Sequence, residues 1–326
     1  MLTVLSFGAG QDSTDILYRL AIDSNFRDRF VKGKLIVVMA DTGDEHDRTY
    51  EHVKFVEQFC KSHSIDFYFI TSDMGFHPKS WPDLISWMKR NSGIMSKVYP
   101  KTCTDNLKIK PIYNFLDAYI GQFYYPEIVK EEFPQHWVEP QDRSGSLPFS
   151  KYNILSIPAR LSCKRFIKQF AKDHGRIRVI IGIAKGEETR LGSHFPHKWM
   201  ADSLERVYPL VEIGVDRQAC QDSIKAFGLP LPPPSNCKRC PFMDKIELLW
   251  MYRFDRKAFD EWVIMEQRKV DKSALMGVGV DRNFGVNGKK LLPKVIEEAV
   301  ALYGHMTDDE LQEYKMSHGH CVKSRY

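Results

Sequence analysis

Leu2-Thr3-Val4-Leu5-Ser6-Phe7-Gly8-Ala9-Gly10-Gln11-Asp12-Ser13-Thr14 runs from a short apolar strand into a glycine-rich turn and on into an amphipathic stretch. That order is a phosphate cradle at a helix start. Gly8 and Gly10 lack a Cβ, so the backbone is free to take positive φ and turn N–H groups toward an anion. The following helix adds its positive N-terminal dipole. A P-loop would end in Gly-Lys-Ser/Thr, and a dinucleotide fold would read Gly-x-Gly-x-x-Gly; neither is present.

Working outward, Lys34 to Met39 is a continuous apolar run suited to a strand buried on both faces. It ends in Ala40-Asp41-Thr42-Gly43-Asp44-Glu45, at the place where parallel sheets bind ligands. The spacing between the two turns is that of a βαβ crossover. Strands are expected over 2–5, 34–39, 66–70 and 179–183, with helices from about 13 and over 47–62, 81–90, 110–120, 161–173, 216–227, 243–254 and 257–270. Val53, Val56, Phe59 and Cys60 share one helix face, so Cys60 reads as core. There is no internal repeat.

Ser6 to Ser13 resembles the Ser-Gly-Gly-x-Asp-Ser signature of the PP-loop ATP pyrophosphatase superfamily, in the expanded form of proteins similar to phosphoadenosine phosphosulfate (PAPS) reductase. The Ala40 to Glu45 segment resembles that family's second motif. The resemblance covers roughly residues 1–270, interrupted over 121–160. It implies an α/β, Rossmann-like (adenine nucleotide alpha hydrolase-like) parallel sheet with helices on both faces, followed by a C-terminal helical region. The domain division it suggests is 1–228 for nucleotide binding and 229–326 for a Cys-x-x-Cys and helical region. Residues 121–152, rich in aromatic, proline and acidic side chains, read as an insertion or lid.

The resemblance also implies roles. Ser6, Phe7, Gly8, Gly10, Gln11, Asp12, Ser13 and Thr14 would hold the phosphates of ATP, with Asp12 orienting Mg²⁺. Ala40, Asp41, Thr42, Gly43 and Glu45 would hold adenosine. Lys108, in the Lys101 to Pro111 segment similar to the family's third motif, would neutralise phosphate charge. Arg190, with Glu187 in a loop after the 179–183 strand, would grip a phosphate or substrate anion. Iron-sulfur members of the family carry a Cys-Cys pair in the third motif and a Cys-x-x-Cys downstream. Here Thr102-Cys103 replaces the pair, while Cys237-Lys238-Arg239-Cys240 is kept. Cys103, Cys220, Cys237 and Cys240 make a four-thiolate set suited to a [4Fe-4S] cluster or to zinc.

Two chemistries follow from the resemblance. In one, ATP–Mg is cleaved to AMP and pyrophosphate as an acceptor is adenylated, the acceptor being a nucleic acid or sulfur carrier open to sulfur transfer. In the other, a cysteine attacks a sulfonucleotide to give a thiosulfonate. The intact Asp12-Ser13 ending favours the first. The tail His318-Gly319-His320-Cys321 lacks the reductases' Glu-Cys-Gly-Leu-His motif. A non-catalytic nucleotide-sensing subunit is the third reading. No general base stands out in the sequence.

Composition sets outer bounds. With 326 residues and 43% hydrophobic content, the chain can bury a sizeable core. No apolar run reaches the ~20 residues of a membrane span, and no secretory leader is evident, so a cytoplasmic protein is expected. Seven cysteines, an odd number, suit free thiols or metal ligands better than a disulfide framework. A net charge of +5 is compatible with anionic ligands. Lys164, Lys168 and Lys172, with Arg165, Arg176 and Arg178, form a basic stretch that reads as a solvated face or a nucleic-acid rest. His194 and His197 read as loop histidines.

Overall fold

The strands that open the chain are apolar on both faces, and that requires a sheet covered on both sides. The computed structural model describes residues 1–138, 152–192 and 195–318. β1 (Leu2–Ser6), β2 (Lys34–Ala40), β3 (Asp66–Ile70), β4 (Ile177–Ile181) and β5 (Leu204–Val207) form one sheet in the order β3-β2-β1-β4-β5. Every pairing is parallel, and Leu5 sits opposite Val37 on one side and Ile180 on the other. The fold is therefore α/β with a Rossmann-like parallel sheet, followed by C-terminal helices.

Side-chain alternation sorts the two faces. Leu2, Val4, Ile36, Val38, Ile177, Val179 and Ile181 join a core covered by α5 (Lys110–Tyr124) and α8 (Arg165–His174). Leu5, Leu35, Val37, Met39, Phe67 and Ile180 join a second core under α1 (Gln11–Ile22), α3 (Asp47–Ser62) and α11 (Arg217–Ala226). Short helices fill the connections: α2 (Ser24–Phe30), α4 (Leu84–Asn91), α6 (Pro126–Glu132), α7 (Ala159–Ser162), α9 (Lys198–Ser203) and α10 (Pro209–Glu212).

The third core belongs to α12 (Lys245–Phe254), α13 (Arg256–Leu275), α14 (Leu292–Tyr303) and α15 (Asp308–His318). It also takes Leu84, Met88, Ile94, Met95 and Leu107 from the first part of the chain. The cores thus do not divide at residue 228, because α4 and the segment after it pack with the C-terminal helices. Among the described residues, no helix is long and apolar enough to cross a membrane.

Several local expectations shift. Residues 121–124 complete α5, and Val129, Phe133 and Val138 are buried, so this part of the expected lid is core; 139–151 lie outside the described residues. The helix expected over 161–173 is broken at Cys163 and Lys164, which have φ of 48° and 56°. Arg178, expected on a basic face, is only 8% exposed; it pairs with Glu205 at 3.1 Å and donates to the Phe30 carbonyl. Strand β4 ends at Ile181, just before Gly182. A Cβ on Gly182 would stand 2.9 Å from the Ser13 amide nitrogen, so glycine lets this strand end pass against the start of α1.

Candidate functional site

β1 lies between β2 and β4, and the connections leave it in opposite directions, so the C-terminal ends of these three strands frame a switch-point crevice. A cleft of about 1520 Å³ opens there. Ser6, Phe7, Gly8, Gly10, Gln11, Asp12, Ser13, Ala40, Lys108 and Arg190 line it; Thr14, Asp41, Thr42, Gly43 and Glu45 do not. The lining is strongly cationic: Lys79, Lys108, Lys110, Arg160, Lys164, Arg190, Arg206 and Arg217 stand against the carboxylates of Asp12 and Asp105.

The turn from β1 into α1 is built from its own polar atoms. The Gly8 N–H donates to Ser13 Oγ at 3.3 Å, and that hydroxyl donates to the Gly10 carbonyl at 3.1 Å. Positive φ falls on Ala9, at 55°, rather than on either glycine. Gly10 serves close approach instead, since a Cβ there would meet Ser235 Oγ at 2.5 Å. No side chain caps α1, so its first-turn N–H groups keep an anion-binding end. Thr14 points away and shares a 3.0 Å hydrogen bond with His52 Nε2.

Asp12 is 8% exposed, and its Oδ1 has no hydrogen-bond partner. Burial raises its pKa, against the pull of Arg217, whose guanidinium lies 3.6 Å from Oδ2. Arg217 also pairs with Glu187 at 2.5 Å, and Glu187 pairs with Arg190. The Arg217 Nε is buried and unpartnered. Next to an uncapped helix end there is thus one unsatisfied carboxylate oxygen and one unsatisfied guanidinium N–H. That donor set fits a hydrated Mg²⁺ carried on phosphates, which takes one or two protein carboxylates. Gln11 ties the turn to distant chain: its amide donates to the Pro232 and Met316 carbonyls at 3.3 and 3.0 Å and accepts from Gln221 at 3.0 Å.

The loop after β2 is bonded largely to its own chain. Asp44 accepts the Arg239 amide at 3.0 Å and pairs with its guanidinium at 2.5 Å, while the Lys238 amide donates to the Asp44 carbonyl at 2.7 Å. Glu45 Oε1 accepts from Thr42 Oγ1 at 3.0 Å, pairs with Lys108 at 3.2 Å and lies 4.0 Å from Cys237 Sγ. Asp41 holds its own loop by accepting from the Gly43 amide and the Tyr50 hydroxyl, both at 2.9 Å. Only Ala40 of this motif reaches the cleft. The motif clamps the Cys237–Cys240 segment beneath it.

The four cysteines do not converge. Cys103, Cys237 and Cys240 belong to the core of the C-terminal helices, whereas Cys220 is buried on the α1 side of the sheet. Among the described residues, no three His, Cys, Asp or Glu side chains gather as a metal-binding group. Cys220 thus lies in a different core from Cys103, Cys237 and Cys240. Burial, then the Glu45 carboxylate, pushes the Cys237 thiol well above its usual range. His194 and Cys321 lie outside the described residues.

Arg217, Ser235, His77 and Asn114 also line the cleft, and the sequence reading did not single them out. Arg217 follows Asp216, which caps α11 by accepting the Ala219 amide at 2.9 Å; nothing local marks it as facing Asp12. Comparison of the chain with family models, with curated proteins and with solved structures returns no match, so its function has to be argued from this geometry.

Proposed function

We propose that the protein binds ATP–Mg in this cleft and cleaves it between the α- and β-phosphates, transferring AMP to an acceptor and releasing pyrophosphate. The observation that carries this reading is the pair of buried, unpartnered atoms, Asp12 Oδ1 and Arg217 Nε, beside the uncapped start of α1. The carboxylate suits the cation and the guanidinium N–H suits a phosphate oxygen. Bound Mg²⁺ would supply charge neutralisation across the phosphates.

The chain's own groups do the rest. First-turn N–H groups of α1 stabilise the charge that develops on departing pyrophosphate, and Ser13 fixes the turn by its two hydrogen bonds. Arg217 and Arg190, both held by Glu187, meet the phosphate oxygens. The excess of cationic lining suits an anionic acceptor such as a nucleic acid.

A sulfonucleotide reductase is the second reading, and a specific contact favours it: the Met316 carbonyl is bonded to Gln11 of the phosphate turn, five residues before Cys321. Calorimetry of ATP–Mg against PAPS on the parent and on Asp12→Asn separates the two. ATP–Mg should be preferred and should weaken about tenfold or more, ~1.4 kcal/mol, in the variant. A preference for PAPS that Asp12→Asn leaves untouched would instead establish the reductase.

A further inference from the structure

The adenylation reading lacks a group to take the acceptor's proton, and the sequence offered none. The break between α7 and α8 supplies one. α8 runs back to β4, so its first residues stand at the C-terminal edge of the sheet, where the cleft opens. Lys164 occupies the cap position of α8 and lines that cleft. Cys163 and Lys164 are consecutive residues with a Cβ in the left-handed region, at φ 48° and 56°. That conformation is costly for such residues and concentrates at functional sites. Glycine or asparagine would take it more easily, and serine, aspartate or asparagine would cap the helix better.

The neighbours hold the lysine in place without neutralising it at close range. Lys164 Nζ donates to the neutral amide oxygen of Asn114, whose own amide donates to the Phe76 carbonyl at 2.7 Å. Asp117, 1% exposed on α5, spends one oxygen on the Ile167 amide at 3.0 Å, which pins the start of α8 to α5. Arg165 turns away to pair with Glu132. Lys110 of α5 and Arg160 of α7 line the same cleft, and Lys110 is paired with Asp105 at 2.7 Å.

We infer that Lys164 is the general base of the acceptor step. Its Nζ lone pair takes the proton of the acceptor's O–H or N–H as that atom's electron pair bonds the α-phosphorus. The bond from the α-phosphorus to the bridging oxygen breaks, pyrophosphate leaves with the electron pair, and the ammonium returns its proton to water. This rests on the adenylation reading. Burial lowers the lysine to a pKa of about 8, against the opposing pull of Asp117 and Cys163, so about a tenth of the amine is free at pH 7 and about half of it near pH 8.

The test uses the full chain with ATP–Mg and water as acceptor. Single-turnover AMP formation is followed from pH 6 to 10 in the parent, Lys164→Gln and Lys164→Arg, with ATP–Mg binding measured alongside to confirm folding. The parent rate should rise with a midpoint near 8. Lys164→Gln should lose about 100-fold or more together with the rise, and Lys164→Arg, which keeps the charge but not the base, should not rescue it. Rescue by arginine, or a glutamine variant that keeps the rise, overturns the inference. A parent that binds ATP–Mg yet forms no AMP at any pH overturns the adenylation reading and this step with it. Competitive acetylation with acetic anhydride reads the amine without turnover: Lys164 should titrate near pH 8, and a midpoint near the ordinary lysine value of about 10.4 overturns the inference alone.

Discussion

The loops after β1 and β2 look alike in sequence and are bonded differently. Each follows an apolar strand, carries glycine and carboxylates, and leads into a helix. The first leaves Asp12 Oδ1 and the α1 end unsatisfied at the floor of the cleft. The second spends Asp44 on Arg239 and one oxygen of Glu45 on Thr42 and Lys108, closing over the Cys237 segment. A polar group left unmet where a ligand can reach it is available for binding. One that is consumed by its own chain holds structure together. Residue type does not distinguish the two; the partner does.

The sharpest way to break this comparison is Arg239→Ala. Arg239 is 5% exposed and its partner Asp44 is 4% exposed, so the substitution strands a buried carboxylate. Such a loss costs about 3–5 kcal/mol, to be read as a shift in the urea midpoint at unchanged slope. If the β2 loop is structural, ATP–Mg affinity in the folded variant should change far less than in Asp12→Asn. A variant that keeps its stability and loses nucleotide would return this loop to the binding site.

What was legible in the sequence divides along the same line. The three inner strands could be read because burial on both faces leaves continuous apolar runs, and the phosphate turn because glycine spacing and a helix start are local properties. The use of Asp44 could not be read, since Arg239 lies 195 residues away. α14 and α15 were missed for a related reason. Lys315 looks like a solvent-facing residue, yet it is 5% exposed, held by Glu247 at 3.2 Å and Asn236 at 3.0 Å. The strained pair at Cys163 and Lys164 was read as uninterrupted helix, because nothing in residue type announces a left-handed lysine.

A second effect, of about 2 kcal/mol, probes how firmly the phosphate turn is braced. His52, bonded to Thr14 of α1, has its pKa lowered to about 4 by burial. The unfolded chain takes a proton near 6.5 that the folded one refuses until pH falls to about 4. The stability His52 lends is therefore complete above 6.5 and drains as pH falls through that window. Between pH 7 and 5 the parent should lose about 2 kcal/mol relative to His52→Gln. Urea unfolding at the two pH values measures it, and a gap independent of pH would mean that His52 titrates freely in the fold.

The smallest expected effect bears on the cysteines. Cys220 is fully buried on α11, among the apolar side chains that cover the α1 face, and its thiol is pushed upward by burial and by the nearby Asp15 and Asp12 carboxylates. A protonated thiol in such a place acts as a small apolar group. Cys220→Val keeps nearly the same shape and should cost less than about 1.5 kcal/mol. Cys237, in contrast, has its sulfur 3.5 Å from Thr42 Oγ1, inside the clamp. Iron and zinc content of anaerobically purified parent and Cys220→Val should agree. A metal lost with this thiol alone would mean that the α1 face and the clamp come together in a way this fold does not allow, and the separation of the two loops would fall with it.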